Sequence, residues 1–105
     1  MDLHQLKIFV SIYKHRSFSR ASEEIYLSQP TVSDHIKALE EELGCSLFDR
    51  LGRSIIPTPE ADMIYPRAVD LLERAREIKE VILQASEVAR GEIIIGASTI
   101  PGTYL

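Results

Sequence analysis

Through residue 43 the apolar residues recur at three- and four-residue steps, which predicts helices. Residues 3 to 15 form one such segment. Two shorter segments follow, separated by a break at Leu27-Ser28. The apolar positions of the three segments are, in order, Leu3, Leu6, Phe9, Val10 and Tyr13; Phe18, Ala21 and Ile25; and Val32, Ile36, Leu39 and Leu43. Two short amphipathic helices around a tight break predict a helix-turn-helix that packs its apolar residues against the first helix.

The candidate functional residues lie at the start of the third predicted helix. Pro30 falls in the first turn, where a missing amide hydrogen costs little, and Gly44 is suited to end the helix in a left-handed conformation. The polar residues of the first turns fall on the face opposite the apolar ones: Gln29, Thr31, Ser33, Asp34 and Lys37. Such groups can contact the base edges and phosphates of DNA, so the pattern predicts a helix that enters a major groove.

The segment CSLFDRLGRSIIPT predicts a short hairpin, or wing, in which Gly52 supplies the turn. Arg50 and Arg53 fall near its tip. Arg53 directly follows the turn glycine, so it is the stronger candidate for contact with the DNA backbone. For Arg50, a DNA contact and a structural role that closes the wing onto the domain both stay open. The whole arrangement, residues 1–58, predicts a mainly α winged helix-turn-helix domain.

Residues 59–90 predict one long helix, with Thr58 as N-cap and Pro59 at the first helical position. Its small and apolar residues follow a heptad, which favours pairing with a second copy of the chain. A solvated linker helix with one buried stripe is the alternative. Pro66 predicts a kink in the first turns. The predicted dimerisation residues are Ala61, Ile64, Ala68, Leu71, Ala75, Ile78, Ile82 and Ala85.

The segment 91–105 changes character after Gly91. Ile93-Ile94-Ile95 is typical of a buried parallel strand, which has no partner within 105 residues. We therefore expect the chain to be an N-terminal fragment that includes the first strand of a missing α/β domain. Ser98 and Thr99 would follow that strand and are candidate ligand residues only in the parent protein.

Composition and charge narrow the function classes. The N-terminus lacks the pattern of a signal peptide and no apolar run could span a membrane, so we expect a cytosolic protein. The single cysteine, Cys45, cannot form an internal disulfide. Neither a metal-ligand spacing nor a nucleophile with a base partner stands out, so the sequence predicts no metal, no cofactor and no enzymatic activity.

The net charge of −4 weighs mildly against a DNA-binding protein. Through residue 58 there are seven basic and eight acidic residues, and the acidic ones include the run Glu40–Glu42 at the far end of the third helix. Charge on the docking face matters more for binding than the total. A winged protein-interaction module that does not bind DNA nevertheless stays open as the alternative function.

The order of MDLHQLKIFV, SFSRASEEIYLSQPTVSDHIKALEEELGCSLFDR, LGRSIIPTPEA, a long helix and GEIIIGAS resembles a LysR-type transcriptional regulator over the whole chain. The resemblance implies a bacterial transcription factor with a winged helix-turn-helix, a linker helix that pairs two subunits, and a C-terminal effector-binding domain. Such dimers commonly assemble into tetramers and bind an interrupted dyad on double-stranded DNA. The ending ASTIPGTYL is similar to a branch associated with sulfur or selenium metabolism.

Carried over by position, the resemblance implies that Gln29, Pro30, Thr31, Ser33 and Asp34 lie at the DNA-facing end of the recognition helix, with Lys37 reaching a phosphate. It also implies that Arg50 and Arg53 approach the backbone or minor groove, and that Ser98 and Thr99 line an effector site in the full-length protein. Many members of the family have arginine where this chain has Asp34 and glutamine where it has His35. A carboxylate can only accept hydrogen bonds, so Asp34 puts the usual base preference in doubt.

Overall fold

The computed structural model describes residues 1–52 and 54–91. Four helices and one hairpin follow in the order that the pattern predicts: α1 (Leu3–His15), α2 (Phe18–Ile25), α3 (Gln29–Leu43), β1 (Phe48–Leu51), β2 (Ser54–Pro57) and α4 (Pro59–Gly91). Arg53 and the segment from residue 92 onward, with its predicted strand and with Ser98 and Thr99, lie outside the described residues.

Local capping interactions set the helix ends. The side chains of Asp2, Ser17 and Ser28 each accept a hydrogen bond from a backbone amide in the first turn of α1, α2 and α3. This leaves fewer amide groups without a partner at each N-terminus. Gly44 ends α3 with a φ of 73°, as predicted. Arg16 and Tyr26 end α1 and α2 in the same left-handed region, which residues other than glycine adopt less readily.

The core is centred on α1, which is buried on more of its surface than the sequence pattern indicated. Ile8 and Ile12 are fully buried although they lie outside the predicted stripe, whereas Leu3 is largely exposed. The reason is that α1 packs against α2 and α3, while its Phe9 also contacts Phe48 of β1 at 5.6 Å between ring centroids. A helix with neighbours on several sides needs more than one apolar stripe.

The wing is an antiparallel pair in which Phe48 lies opposite Pro57 and Leu51 opposite Ser54. Gly52 lies in the turn with a φ of 62°, in agreement with the prediction. The connection from α3 to the wing is held by Glu40, whose carboxylate accepts a hydrogen bond from the backbone amide of buried Leu47 at 2.7 Å. This side chain therefore has a structural role that its place in an acidic run did not indicate.

The first turns of α4 belong to the same compact unit as the winged domain, residues 1–72. Thr58 is the predicted N-cap: its hydroxyl accepts from the amide of Ala61 at 3.2 Å and donates to the carbonyl of Ser46 at 2.7 Å. The side chains of Ala61 and Ala68 are 0% and 2% exposed and lie in the core of this unit. At these two predicted dimerisation positions the alanines serve packing within the chain, because no side-chain surface is left for a second copy.

The second compact unit begins at Glu73, and the structure describes it as far as Gly91, where α4 ends. Four of its apolar side chains are exposed: Ile78, Val81, Ile82 and Leu83. Pro66 lies within the helix, which continues through it. In the part of the chain that the structure describes, no helix has both the length and the apolar character needed to cross a membrane.

Candidate nucleic-acid interface

The recognition surface predicted from the sequence lies on the outward face of α3. Val32, Ile36 and Leu39 are buried against the rest of the domain. The predicted contact residues occupy the opposite side: Gln29, Pro30, Asp34 and Lys37 are exposed, and Thr31 and Ser33 are half-buried. The burial of the apolar face holds the polar side chains of the first two turns toward solvent, where a ligand can reach them.

Two of these polar side chains also make contacts within the chain. The hydroxyl of Thr31 lies 2.8 Å from that of Ser28, so it takes part in the cap of α3. The side-chain oxygen of Gln29 accepts from the hydroxyl of Ser19 at 3.3 Å, which joins the starts of α2 and α3. This bond restricts the orientation of the Gln29 amide, which lowers the entropic cost of binding a ligand there.

Asp34 and His35, the two positions at which the resemblance implies a departure, are neighbours on α3. Asp34 is exposed and presents a carboxylate to solvent. The ring of half-buried His35 meets the ring of His4 edge-on, with 5.2 Å between the centroids, and so connects α3 to α1. His35 therefore serves packing between helices, and Asp34 is the one of the two that faces outward.

A cleft of about 330 Å³ separates the start of α2 from the wing and reaches Gln29 on α3. Its described lining residues are uncharged or basic, and the polar ones are Arg16, Ser17, Ser19, Gln29, Arg50 and Ser54. Two guanidinium groups and three hydroxyls without an acidic neighbour in the lining suit an anion such as a phosphate. The described lining of this cleft is therefore basic, although the chain as a whole has a net negative charge.

Of the two roles that the sequence left open for Arg50, the structure shows a structural contact, and the DNA contact stays a prediction. Its guanidinium carbon lies 4.2 Å from the centroid of the Phe18 ring, a cation–π contact that joins the wing to the start of α2. The same residue lines the cleft. A guanidinium that stacks on an aromatic ring keeps its N–H groups in its own plane, where they can still donate to a ligand.

The sequence did not point to Arg16, Ser17 or Ser19 as site residues. Arg16 and Ser17 form the connection between α1 and α2, and Ser19 lies in the first turn of α2. Only the fold brings these residues to the wing. The signal that could have indicated them is the sequence RSFSR, in which hydroxyl and basic residues surround a helix start. The backbone groups there favour negative charge, and the basic side chains add to that field.

Among the described residues, Glu24 and Tyr13 have shifted pKa values. The pKa of Glu24 is lowered, chiefly because Ser11 donates a hydrogen bond to its carboxylate and in part because of Lys14 and His15. These contacts tie α2 to α1. The pKa of Tyr13 is raised, mainly because its hydroxyl donates to Asp62 at 2.6 Å. That bond ties α1 to the first turns of α4.

Comparison with known proteins identifies relatives of this architecture. The chain is 38% identical over 101 residues to the RuBisCO operon transcriptional regulator of Allochromatium vinosum, covering 95% of this chain and 33% of that protein. It is 33% identical over its full 105 residues to the DNA-binding transcriptional dual regulator OxyR of Escherichia coli, of which it covers 34%. The chain thus spans about a third of the length of these curated relatives.

Comparison with solved structures also identifies relatives with this architecture. A complex of the BenM DNA-binding domain with benA site 1 DNA superposes with a TM-score of 0.76 at 33% identity, covering 81% of this chain and 99% of that one. A full-length OxyR from Pseudomonas aeruginosa superposes with the same TM-score of 0.76 at 36% identity, covering 80% of this chain and 28% of that one. The family model for bacterial regulatory helix-turn-helix proteins of the lysR family matches residues 3–62. The chain therefore belongs to the lysR family of bacterial regulatory helix-turn-helix proteins.

Proposed function

We propose that this chain is the sequence-specific DNA-binding and dimerisation module of a bacterial transcriptional regulator. The observation that carries the proposal is the polar outward face of α3, held in place by the burial of Val32, Ile36 and Leu39. The likeness to the BenM DNA-binding domain, solved in complex with benA site 1 DNA, supports it. The relatives are named as transcriptional regulators, and we propose no catalytic activity.

In this proposal α3 enters the major groove with its first two turns. Gln29 reads a base, for which adenine is the natural partner of an amide, and Ser33 contacts a base edge or phosphate. Thr31 contributes less, because its hydroxyl is shared with the cap at Ser28. Asp34 accepts from a cytosine amino group or orients its neighbours, and Lys37 neutralises a phosphate one turn further along.

The cleft beside the wing receives the sugar–phosphate backbone. Arg50 donates to a phosphate while its guanidinium stays stacked on Phe18. Arg53 is proposed as a second backbone or minor-groove contact on the sequence argument alone, since it lies outside the described residues. If Lys37, Arg50 and Arg53 each neutralise one phosphate, a dimer engages about six, and log K falls with log salt with a slope of roughly −5.

Dimerisation is assigned to the exposed stripe of α4. Leu71, Ala75, Ile78, Ile82 and Ala85 lie within about 80° of one another around a helix with 100° per residue, and the large members are exposed. Water-exposed leucine and isoleucine in a continuous stripe favour pairing with a second copy. The domain boundaries proposed from the sequence, 1–58, 59–90 and 91–105, describe these functions rather than the compact units.

We propose that the full-length protein binds an interrupted dyad as a homodimer. The rest of that protein is proposed to support tetramer formation and to bind a small-molecule effector. Ser98 and Thr99 remain proposed effector residues of that protein. The names of the relatives reported above do not support the sulfur or selenium branch, which stays a prediction from ASTIPGTYL alone.

The test is selection of bound sequences from a pool of random duplex DNA at low salt. The wild-type chain is compared with the double variant Gln29→Ala/Ser33→Ala. Glu41→Ala serves as a matched control, because Glu41 is an exposed residue further along the same helix. We expect a dyad-symmetric consensus from the wild type and the control, and its loss in the double variant with helix content retained.

A salt titration of the selected site separates the proposal from its alternative. A slope near the value above supports phosphate neutralisation, and Arg50→Ala should reduce its size by about two for a dimer. No enrichment from a folded, dimeric wild-type sample would refute DNA reading by this chain. It would favour the protein-interaction module instead.

A further inference from the structure

Tyr13 forms a contact between α1 and α4 that none of the proposed DNA or dimer contacts accounts for. Its hydroxyl donates to Asp62 at 2.6 Å across 49 residues of sequence. Its ring stacks on Tyr65, with 3.9 Å between centroids and 16° between the planes. Tyr13, Asp62 and Tyr65 are called the α1–α4 clamp below.

The clamp adds direction to packing that is otherwise apolar. Beneath it, Phe9 meets the Tyr65 ring at 6.4 Å, and Ala61 is fully buried. Contacts of this kind hold a helix against its neighbours but resist sliding and rotation only weakly, because burial is not directional. A short hydrogen bond to a carboxylate and a parallel ring stack both have preferred geometries. Together they fix the angle at which the first turns of α4 lie on α1.

The clamp is also attached to the surface proposed to hold DNA. The guanidinium of Arg16 lies 5.2 Å from the centroid of the Tyr13 ring, and its Nε donates to the Tyr13 carbonyl at 2.9 Å. Arg16 lines the cleft between α2 and the wing. The residues that set the angle of α4 and those that line the cleft are therefore in direct contact.

We propose that the α1–α4 clamp determines which separation of two operator half-sites the dimer accepts. Tyr13 acts as a positioning residue that does not itself touch DNA. The inference rests on the proposed function, in which α4 pairs two subunits beyond the clamp. Sixteen residues of α4 beyond the clamp form a helical lever about 24 Å long. A tilt of about 8° at the base of this lever displaces its far end by about 3.4 Å. That displacement equals roughly the rise of one base pair.

The test uses a library in which two copies of the selected half-site are separated by spacers of different lengths. Wild type, Tyr13→Phe and Asp62→Ala are compared, and a single half-site measures reading without the lever. Tyr65→Phe is the matched control, because it removes a hydroxyl from the same stacked pair and leaves the bond between Tyr13 and Asp62 intact.

We expect the wild type and Tyr65→Phe to select a narrow range of spacers. In Tyr13→Phe and Asp62→Ala the preference for the best spacer over those one base pair longer or shorter should fall about three- to tenfold. Affinity for the single half-site should stay unchanged. This combination is specific to positioning, because general destabilisation would weaken binding at every spacing.

Two results would overturn the inference. One is an unchanged spacer preference in both variants. The other is a loss that is equal at all spacings and accompanied by weaker binding to the single half-site, which would make the clamp purely structural. Failure of the proposed function has a different signature: the wild type itself would select no dyad at any spacing, and the inference would fall with it.

Discussion

Glu40 offers the sharpest test of the structure, because its neighbours Glu41 and Glu42 look the same in the sequence. One oxygen of its carboxylate accepts from the amide of Leu47 at 2.7 Å, and Leu47 is fully buried. Its backbone carbonyl accepts from the amides of Gly44 and Cys45 at 2.8 and 3.2 Å. The residue thus holds the chain where α3 ends and the wing begins. Removal of the side chain would leave a buried N–H without its acceptor.

The expected cost follows from the charge of the acceptor. Hydrogen bonds to charged groups contribute about 1.5–3 kcal/mol, so Glu40→Ala should lower the free energy of unfolding by about 2 kcal/mol. For a domain of this size that corresponds to a fall in Tm of about 8–16 °C. Glu40→Gln keeps an acceptor oxygen without the charge and should lose roughly half as much. Glu41→Ala, an exposed change on the same turn, should stay within about 0.5 kcal/mol.

The assay is urea unfolding followed by circular dichroism at pH 7, with all variants at one protein concentration because pairing of chains adds to apparent stability. The m-value should stay constant, so that the shift in midpoint reports stability alone. If Glu40→Ala and Glu41→Ala lose the same stability, the bond to Leu47 does not hold the wing and the reasoning fails.

Three further expectations concern other parts of the molecule. The pKa of Glu24 is lowered below its ordinary 4.5, so the stability that Glu24 contributes is fully present above pH 4.5 and is lost as the pH falls through the lowered pKa. Glu24→Gln should therefore reduce the loss of stability at acid pH, measured by urea unfolding at a series of pH values. Thr58→Ala removes the cap of α4 and a bond to Ser46, and should cost about 1–2 kcal/mol, with Thr58→Ser close to wild type in thermal melts. Ile78→Glu should convert dimers to monomers in sedimentation. Leu83→Glu should not, because Leu83 is similarly exposed (63%, against 67% for Ile78) but lies about 140° around the helix from Ile78. Equal effects of the two changes would argue against pairing through the stripe.

The sequence predicted α1 to α3 and the start of α4 well, because their ends depend on neighbouring residues. Pro30 in the first turn of α3, Gly44 after Leu43, and Thr58 before Pro59 are helix-end signals that act within one turn, and the structure confirms them. The polar face of α3 could be predicted for the same reason. It follows from the periodicity of a single helix.

What the sequence could not give arises from contacts between distant segments. Ile8 and Ile12 are buried because α1 has neighbours on several sides, which a single stripe does not indicate. Ala61 and Ala68 fit a heptad seam but lie in the core of their own chain. The cleft combines the start of α2 with the wing, so its basic lining appears only after folding.

The short connections of the helix-turn-helix have a consequence for the order of events during synthesis. Only two residues separate α1 from α2, and three separate α2 from α3. Packing among close neighbours in sequence is the kind that forms fastest, and the N-terminal part of a chain leaves the ribosome first. The polar face of α3 is therefore expected to be complete before the stripe from Leu71 to Ala85 has emerged. A product cut after Leu72 would keep the polar face of α3 and lack most of the stripe. Such a product would compete with the dimer for half-sites as a monomer.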